Sequence, residues 1–338
     1  MTLVLPSQVY WFGPQSGGQG ELRPFEQLEQ LMAIPDGWVW LDVAEPDDEL
    51  ATLLRSPLFA CPPRAVKDCL ERNHVSRLRV SGDCLFVVVH KPYPGPNGHV
   101  HYLELDKFVA PRFLVTVHGP CNPLVPPDEL LVETNEAASR IASGYWKPTS
   151  PIELSHALSA LLTLNMEGYV NELAARVGDL ERRVMSQQDE QRPQDFLDEL
   201  FRVRHTLLTV RTMTSQSSEI FARAQRLMTS VSKTEARLIG DTRDQYLRLS
   251  RVTASQLDFL HGVTDYYRAR TDTKMTIAAE RLAVIAAITL PVTAISSLMG
   301  MNVIVNGESD PVLLAVLLGV MGLLSLYLLR WAKKQGWW

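Results

Sequence analysis

Two stretches near the C-terminus, residues 282–299 (LAVIAAITLPVTAISSLM) and 312–329 (VLLAVLLGVMGLLSLYLL), contain no Asp, Glu, Lys or Arg. Each has the roughly 18 or more apolar residues needed to cross a hydrocarbon core of about 30 Å, so together they predict a membrane hairpin. Upstream the pattern is different. Val39-Trp40-Leu41-Asp42-Val43, Leu85-Phe86-Val87-Val88-Val89 and Phe113-Leu114-Val115-Thr116-Val117 are short β-branched or aromatic runs bounded by Gly, Pro or Asp, and read as strands. Residues 62–70 read as a helix with proline near its first turn. PYPGPNG at 92–98 reads as a turn.

After the Pro/Ser punctuation of residues 147–151 the period becomes helical. Over 152–185, Leu158, Leu161, Leu162, Tyr169, Leu173, Val177, Leu180 and Val184 form one apolar stripe. The polar stretch 186–193 (SQQDEQRP) reads as a turn, and helix resumes from Gln194. A third helix begins near Lys233 and meets no proline before Pro291. Within it Tyr246, Leu249, Val252, Leu257, Leu260, Val263 and Tyr267 make a coiled-coil-like seam. A continuous helix from 233 to 299 would be roughly 100 Å long at 1.5 Å per residue. The alternative is two helices hinged at Gly262, where glycine costs about 1 kcal/mol.

Charge orients the hairpin. Arg330, Lys333 and Lys334 follow the second run, whereas the loop between the runs carries only Glu308 and Asp310. That asymmetry places both termini in the cytosol, with the terminal Trp337-Trp338 pair as an interfacial anchor. Residues 1–10 lack the features of a signal peptide. The net charge of −5 argues against a nucleic-acid partner. Neither G-x-G-x-x-G nor G-x-x-x-x-G-K-[ST] occurs, so nucleotide binding has no motif behind it. The four cysteines (Cys61, Cys69, Cys84, Cys121) have no C-x-x-C spacing and read as reduced cytosolic thiols. His118 and Cys121 are near in sequence without an identifiable orienting partner, so no enzyme is expected.

Gly300-Met301-Asn302 ends the first apolar run. Together with residues 281–293 (RLAVIAAITLPVT) and the tail 333–338 (KKQGWW), it resembles the CorA family of divalent-cation transporters. Weaker agreement covers Trp40-Leu41-Asp42, residues 61–70 and residues 114–118. The resemblance implies a homopentamer in the bacterial plasma (inner) membrane that carries Mg2+, with Co2+ as a further substrate. The expected fold is an α+β membrane protein. A cytosolic α/β/α domain (1–148) leads to a helical stalk or funnel (149–281), a pore-lining first span (282–302), an external loop (303–311), a second span (312–330) and a basic tail (331–338).

The resemblance further implies a selectivity filter of Gly300, Met301 and Asn302, and a pore lined by Thr276, Ala279, Leu282, Leu290 and Thr293. It implies a regulatory Mg2+ bound between subunits, for which Asp241 on the stalk and Asp68 in the N-terminal domain are the candidates. Two departures stand out. The loop after Asn302 lacks the family's usual Met-Pro-Glu-Leu-like segment, leaving Glu308 and Asp310 as its acids; Ala279 and Thr276 stand where the family often has Met and Asn. The alternatives are a zinc, nickel or cobalt transporter on the same architecture, and a membrane-anchored sensor or adaptor without a pore. His99-Val100-His101 offers a metal pair to the first, though a surface strand is the plainer reading.

Overall fold

The computed structural model describes residues 7–14, 19–120, 122–186, 193–229, 231–300 and 311–334. It divides into two compact units, Met1–His261 and Gly262–Trp338.

The first unit holds seven strands: β1 (Gln8–Phe12), β2 (Glu21–Arg23), β3 (Trp38–Val43), β4 (Arg77–Ser81), β5 (Cys84–Pro94), β6 (Val100–Ala110) and β7 (Phe113–His118). They form one sheet in the order β2-β1-β3-β7-β6-β5-β4. Only β3 and β7 pair in parallel, with Leu41 opposite Val115; every other neighbouring pair is antiparallel. The helices of this unit are α1 (Leu28–Ala33), α2 (Asp48–Arg55), α3 (Pro63–Leu70), α4 (Pro127–Leu130), α5 (Val132–Ala142), α6 (Pro151–Ser186), α7 (Pro193–Leu227) and the first part of α8 (Lys233–Gly300).

Side-chain alternation divides the core in two. Trp40, Val87, Val89 and Leu114 face a layer made by α5, α6, α7 and Ile239, Tyr246 and Leu249 of α8. Their sequence neighbours Val39, Leu41, Phe86, Val88 and Val115 face α1, α2 and α3. Both faces of the sheet are therefore buried, and its strands read as near-continuous apolar runs. Helix starts are specified locally. Asp47 Oδ1 accepts from the Leu50 amide at 2.6 Å to cap α2. Ser232 and Glu235 form a reciprocal capping box at the start of α8: Ser232 Oγ accepts from the Glu235 amide (3.2 Å) and Glu235 Oε2 from the Ser232 amide (2.9 Å).

The apolar stripe of α6 is buried at Leu158, Leu162, Leu173, Val177, Leu180 and Val184, with Leu161 and Tyr169 half-buried. Three expectations are corrected. Residues 92–94 belong to β5, Pro92 pairing with Tyr102, so the turn begins only at Gly95. Their prolines are tolerated because a long hairpin end leaves ladder positions without an obligatory donor. In the α8 seam Val252 is 40% exposed and Thr253 is fully buried in its place. Thr253 meets that burial by donating its hydroxyl to the Leu249 carbonyl at 2.8 Å. His101 is buried in β6 rather than displayed on a surface strand, and Asn122 Nδ2 donates to its Nδ1 at 3.1 Å.

The second unit contains the remainder of α8 and α9 (Pro311–Lys334). α8 has 68 residues and stays helical through Gly262 and Pro291. Among the described residues one helix, α8, is long and apolar enough to cross a membrane. α9 has 24 residues, which at 1.5 Å each gives about 36 Å, and it ends in Lys333 and Lys334.

Candidate functional site

Five of the expected pore residues lie on α8, and helical geometry relates them. At about 100° per residue, Thr276, Ala279, Leu282, Leu290 and Thr293 fall within an arc of about 120°. All five are exposed, Leu282 and Leu290 each at 66%. Apolar side chains this exposed on a helix require lipid, a partner or a shared lumen to cover them. Thr276 and Thr293 donate their hydroxyls to the carbonyls of Asp272 (3.0 Å) and Thr289 (2.8 Å), which leaves hydroxyl lone pairs as outward acceptors. Gly300 is the last residue of α8. Met301, Asn302, Glu308 and Asp310 lie outside the described residues, as do Cys121 and the terminal tryptophans.

The same arc carries two acids that sequence reasoning missed. Asp265 and Asp272 are exposed on α8 and precede Ala279 by two heptads and one. Their seven-residue spacing, continued by Ala286 and Thr293, is the signal that could have found them.

The two regulatory candidates have separate surroundings. Asp68, on α3, is buried, and both its oxygens are taken: Arg77 Nη1 donates to Oδ1 at 2.9 Å and Arg79 Nε to Oδ2 at 2.5 Å. The arginines alternate on β4 and so present one face to the helix. Asp241, on α8, is open to solvent, and its Oδ2 accepts from His156 Nε2 and Gln245 Nε2, each at 2.7 Å. The His156 hydrogen bond is the main reason its carboxyl lies below the usual range. Among the described residues Asp68 and Asp241 share no hydrogen-bonding partner. His156 also borders a cavity of about 500 Å³ lined by Arg140, Tyr145, Trp146, Glu153 and Leu161. Among the described residues no group of three or more His, Cys, Asp and Glu side chains is placed to hold a metal ion.

Other polar groups lie inside the first unit. Lys91 and Glu133 form a buried ion pair at 2.7 Å, with Asn165 Nδ2 donating to the same carboxylate. His118 does have an orienting carboxylate, Asp42, at 3.1 Å. Both lie inside the core, where substrate has no access. Asp106 is fully buried on β6 beside Glu104, and burial followed by that neighbour's charge drives its carboxyl well above the usual range.

The family model for CorA-like Mg2+ transporter protein matches residues 35–334. The structure is similar to the complete CorA magnesium transporter from Methanocaldococcus jannaschii, with TM-score 0.78, 12% identity, and all of both chains covered. It is similar to the full-length CmaX protein, with TM-score 0.73, 18% identity, 96% of this chain and 97% of that one. The cytoplasmic domain of ZntB from Vibrio parahaemolyticus RIMD 2210633 covers 79% of this chain and 98% of its own, at TM-score 0.59 and 9% identity. No curated protein matches the sequence. At these identities the structural likenesses speak for the fold, an α/β domain with a long helix. The family match spans far more than half of the 338 residues, and the chain belongs to the CorA-like Mg2+ transporter family of divalent-cation transporters.

Proposed function

We propose that copies of this chain assemble as a homopentamer around the polar arc of α8 and conduct hydrated Mg2+, and Co2+ with it, into the cytosol of a bacterial cell. The observation that carries this is the shared face of Thr276, Ala279, Leu282, Leu290 and Thr293 on a helix apolar enough to span a membrane. One two-helix hairpin cannot enclose a wet path, so several copies are needed. Mg2+ gives up its water reluctantly, which favours recognition of the hydrated ion. A ring of Asn302 amides offers oxygens at the outer end without fixed charge, a hold weak enough to permit onward release. Thr293 adds a second polar ring, and Leu290 and Leu282 make apolar constrictions that gate by dewetting. Asp272 and Asp265 draw cations at the inner end, and Glu308 and Asp310 do so at the outer one.

A divalent ion crossing about 100 mV gains roughly 4.6 kcal/mol. At about 1.4 kcal/mol per decade, that supports inward movement against a gradient of more than a thousandfold, with no nucleotide hydrolysis. For gating by cytosolic Mg2+, the exposed carboxylate of Asp241 is the readier ligand. At Asp68 a cation must first displace two arginines.

Proteoliposome uptake of Mg2+, Co2+ and Zn2+, with and without an inside-negative potential, tests this reading. Uptake is expected to rise with the potential, to favour Mg2+, and to fall at least tenfold in Asn302→Ala. Asp241→Ala is expected to lose inhibition by internal Mg2+. Zinc preferred over magnesium would move the substrate assignment to the zinc class, and no cation flux from a reconstituted oligomer would leave an anchored sensor.

A further inference from the structure

The cavity of about 500 Å³ that His156 borders is lined entirely by residues of the first unit. The end of α5 and the turn after it contribute Arg140, Tyr145 and Trp146; α6 contributes Ala160 and Leu164, and α8 contributes Leu238. Ala157 and Ala160, three apart on α6, share a face and carry only a methyl each, so the helix surface is low there and the site is concave. Leu164 and Tyr145, at 60% and 83% exposure, leave large apolar surface uncovered within one chain.

The walls are held by backbone. Gly144, at φ 71°, ends α5 in the left-handed region. Its amide donates to the Ile141 carbonyl at 3.0 Å, and the Trp146 amide donates to the Arg140 carbonyl at 3.2 Å. The indole and the guanidinium are thus carried by one closed turn, and the indole packs against the core. A concave site of this size on fixed elements suits one small organic molecule.

The polar groups of the lining are unequally committed. Glu153 Oε2 accepts from the amide (2.8 Å) and the hydroxyl (2.6 Å) of Thr149 at the start of α6. His156 Nε2 donates to Asp241 Oδ2. Arg140 uses its Nε on Glu136 at 2.8 Å, and among the described residues its two Nη groups and Trp146 Nε1 have no hydrogen-bonding partner. What remains for a ligand is chiefly donors, a guanidinium edge and an indole N–H, beside apolar and aromatic surface. The parallel N–H groups of a guanidinium match the two oxygens of a carboxylate. A neutral apolar molecule would leave those donors unused, and a cation would be repelled by Arg140.

We propose that this cavity binds a small aromatic monocarboxylate, its ring against Trp146, Leu161 and Leu164 and its oxygens on the Nη groups of Arg140. The ring covers the apolar surface that the chain leaves open. Because Arg140 is half-exposed, the carboxylate stays partly hydrated while the ring leaves water, so the charge is desolvated only in part.

The test is calorimetric titration of the full chain in detergent with 2-naphthoate and with its uncharged counterpart 2-naphthamide, each corrected against protein-free micelles. One saturable site per chain is expected for the carboxylate, with the amide at least tenfold weaker. Arg140→Gln should weaken 2-naphthoate at least tenfold and bring it level with the amide. Ala160→Leu, which fills the floor of the cavity, should abolish saturable binding of both. Equal affinity for acid and amide, or binding untouched by either substitution, would overturn the proposal. So would the absence of saturable binding to the wild type, the outcome if a neighbouring copy already fills the cavity. Arg140 is half-exposed and its ion pair is with Glu136 one turn away, so Arg140→Gln keeps the test decisive if Ala160→Leu fails to fold.

Discussion

Lys107 is a cation buried without a counter-charge, and replacing it by methionine has a calculable effect. It sits on β6 with no exposed surface; its Nζ donates to Ser159 Oγ at 2.5 Å and to the Ser155 carbonyl at 3.2 Å, and lies 5.5 Å from the Phe221 ring centroid. None of these partners is charged. Burial lowers the amine from 10.5 to about 7. Below about pH 7 the folded chain carries the full cost of an enclosed ammonium. Between about 7 and 10.5 the unfolded chain binds a proton that the folded chain has released, so stability rises with pH across that window. The slope is about 1.4 kcal/mol per pH unit and the whole span is worth ~5 kcal/mol.

Lys107→Met removes the titration and keeps an unbranched stem. It deprives Ser159 of a partner, but Ser159 Oγ still donates to the Ser155 carbonyl at 3.0 Å. The loss there is about 1 kcal/mol. The variant is expected to be more stable than wild type by about 4 kcal/mol at pH 6, with the two converging as the pH approaches 10. Urea titrations of full-length protein in detergent, followed by tryptophan fluorescence at pH 6, 7, 8 and 9, measure the difference. Parallel pH dependences, or a wild type more stable at pH 6, would refute the reasoning.

Two further substitutions probe the first unit by the same titration. Ala60→Gly should stabilise it by about 1 kcal/mol, because only glycine takes the left-handed φ of 48° without steric cost; a loss of stability would contradict that turn. Lys91→Met should cost about 3 kcal/mol by leaving the buried Glu133 carboxylate with Asn165 alone, and Lys91→Met/Glu133→Gln should recover part of it. A single variant within 0.5 kcal/mol of wild type would show the pair to be solvated.

Much of this architecture is legible from periodicity. The strands at 39–43, 85–89 and 113–117, the stripe of α6 and the start of α8 near Lys233 announce themselves because local pattern and tertiary burial agree. β6 does not. Its sequence, VHYLELDKFVA, places His101, Glu104, Asp106 and Lys107 inside a central strand, so the alternation that marks a buried strand is overwritten by charge. The grip of Arg77 and Arg79 on Asp68 is invisible for the same kind of reason. It depends on β4 lying beside α3, which RLRVS alone does not reveal. In α8 the seam was displaced by one residue because a threonine that bonds its own helix substitutes for an apolar side chain. The residues expected to line a pore came from resemblance, and the helix adds what the motif lacks, a common face that extends to Asp265 and Asp272.

The claim on which the account stands is that this face of α8 borders the ion path. It is tested by placing single cysteines at Thr293 and at Ile295, about 160° apart around the helix, in full-length protein whose native cysteines are serine. Mg2+ uptake is then followed before and after a charged, membrane-impermeant thiol reagent. The account predicts block at Thr293→Cys and undiminished flux at Ile295→Cys. Equal sensitivity, or block only at Ile295→Cys, would contradict it.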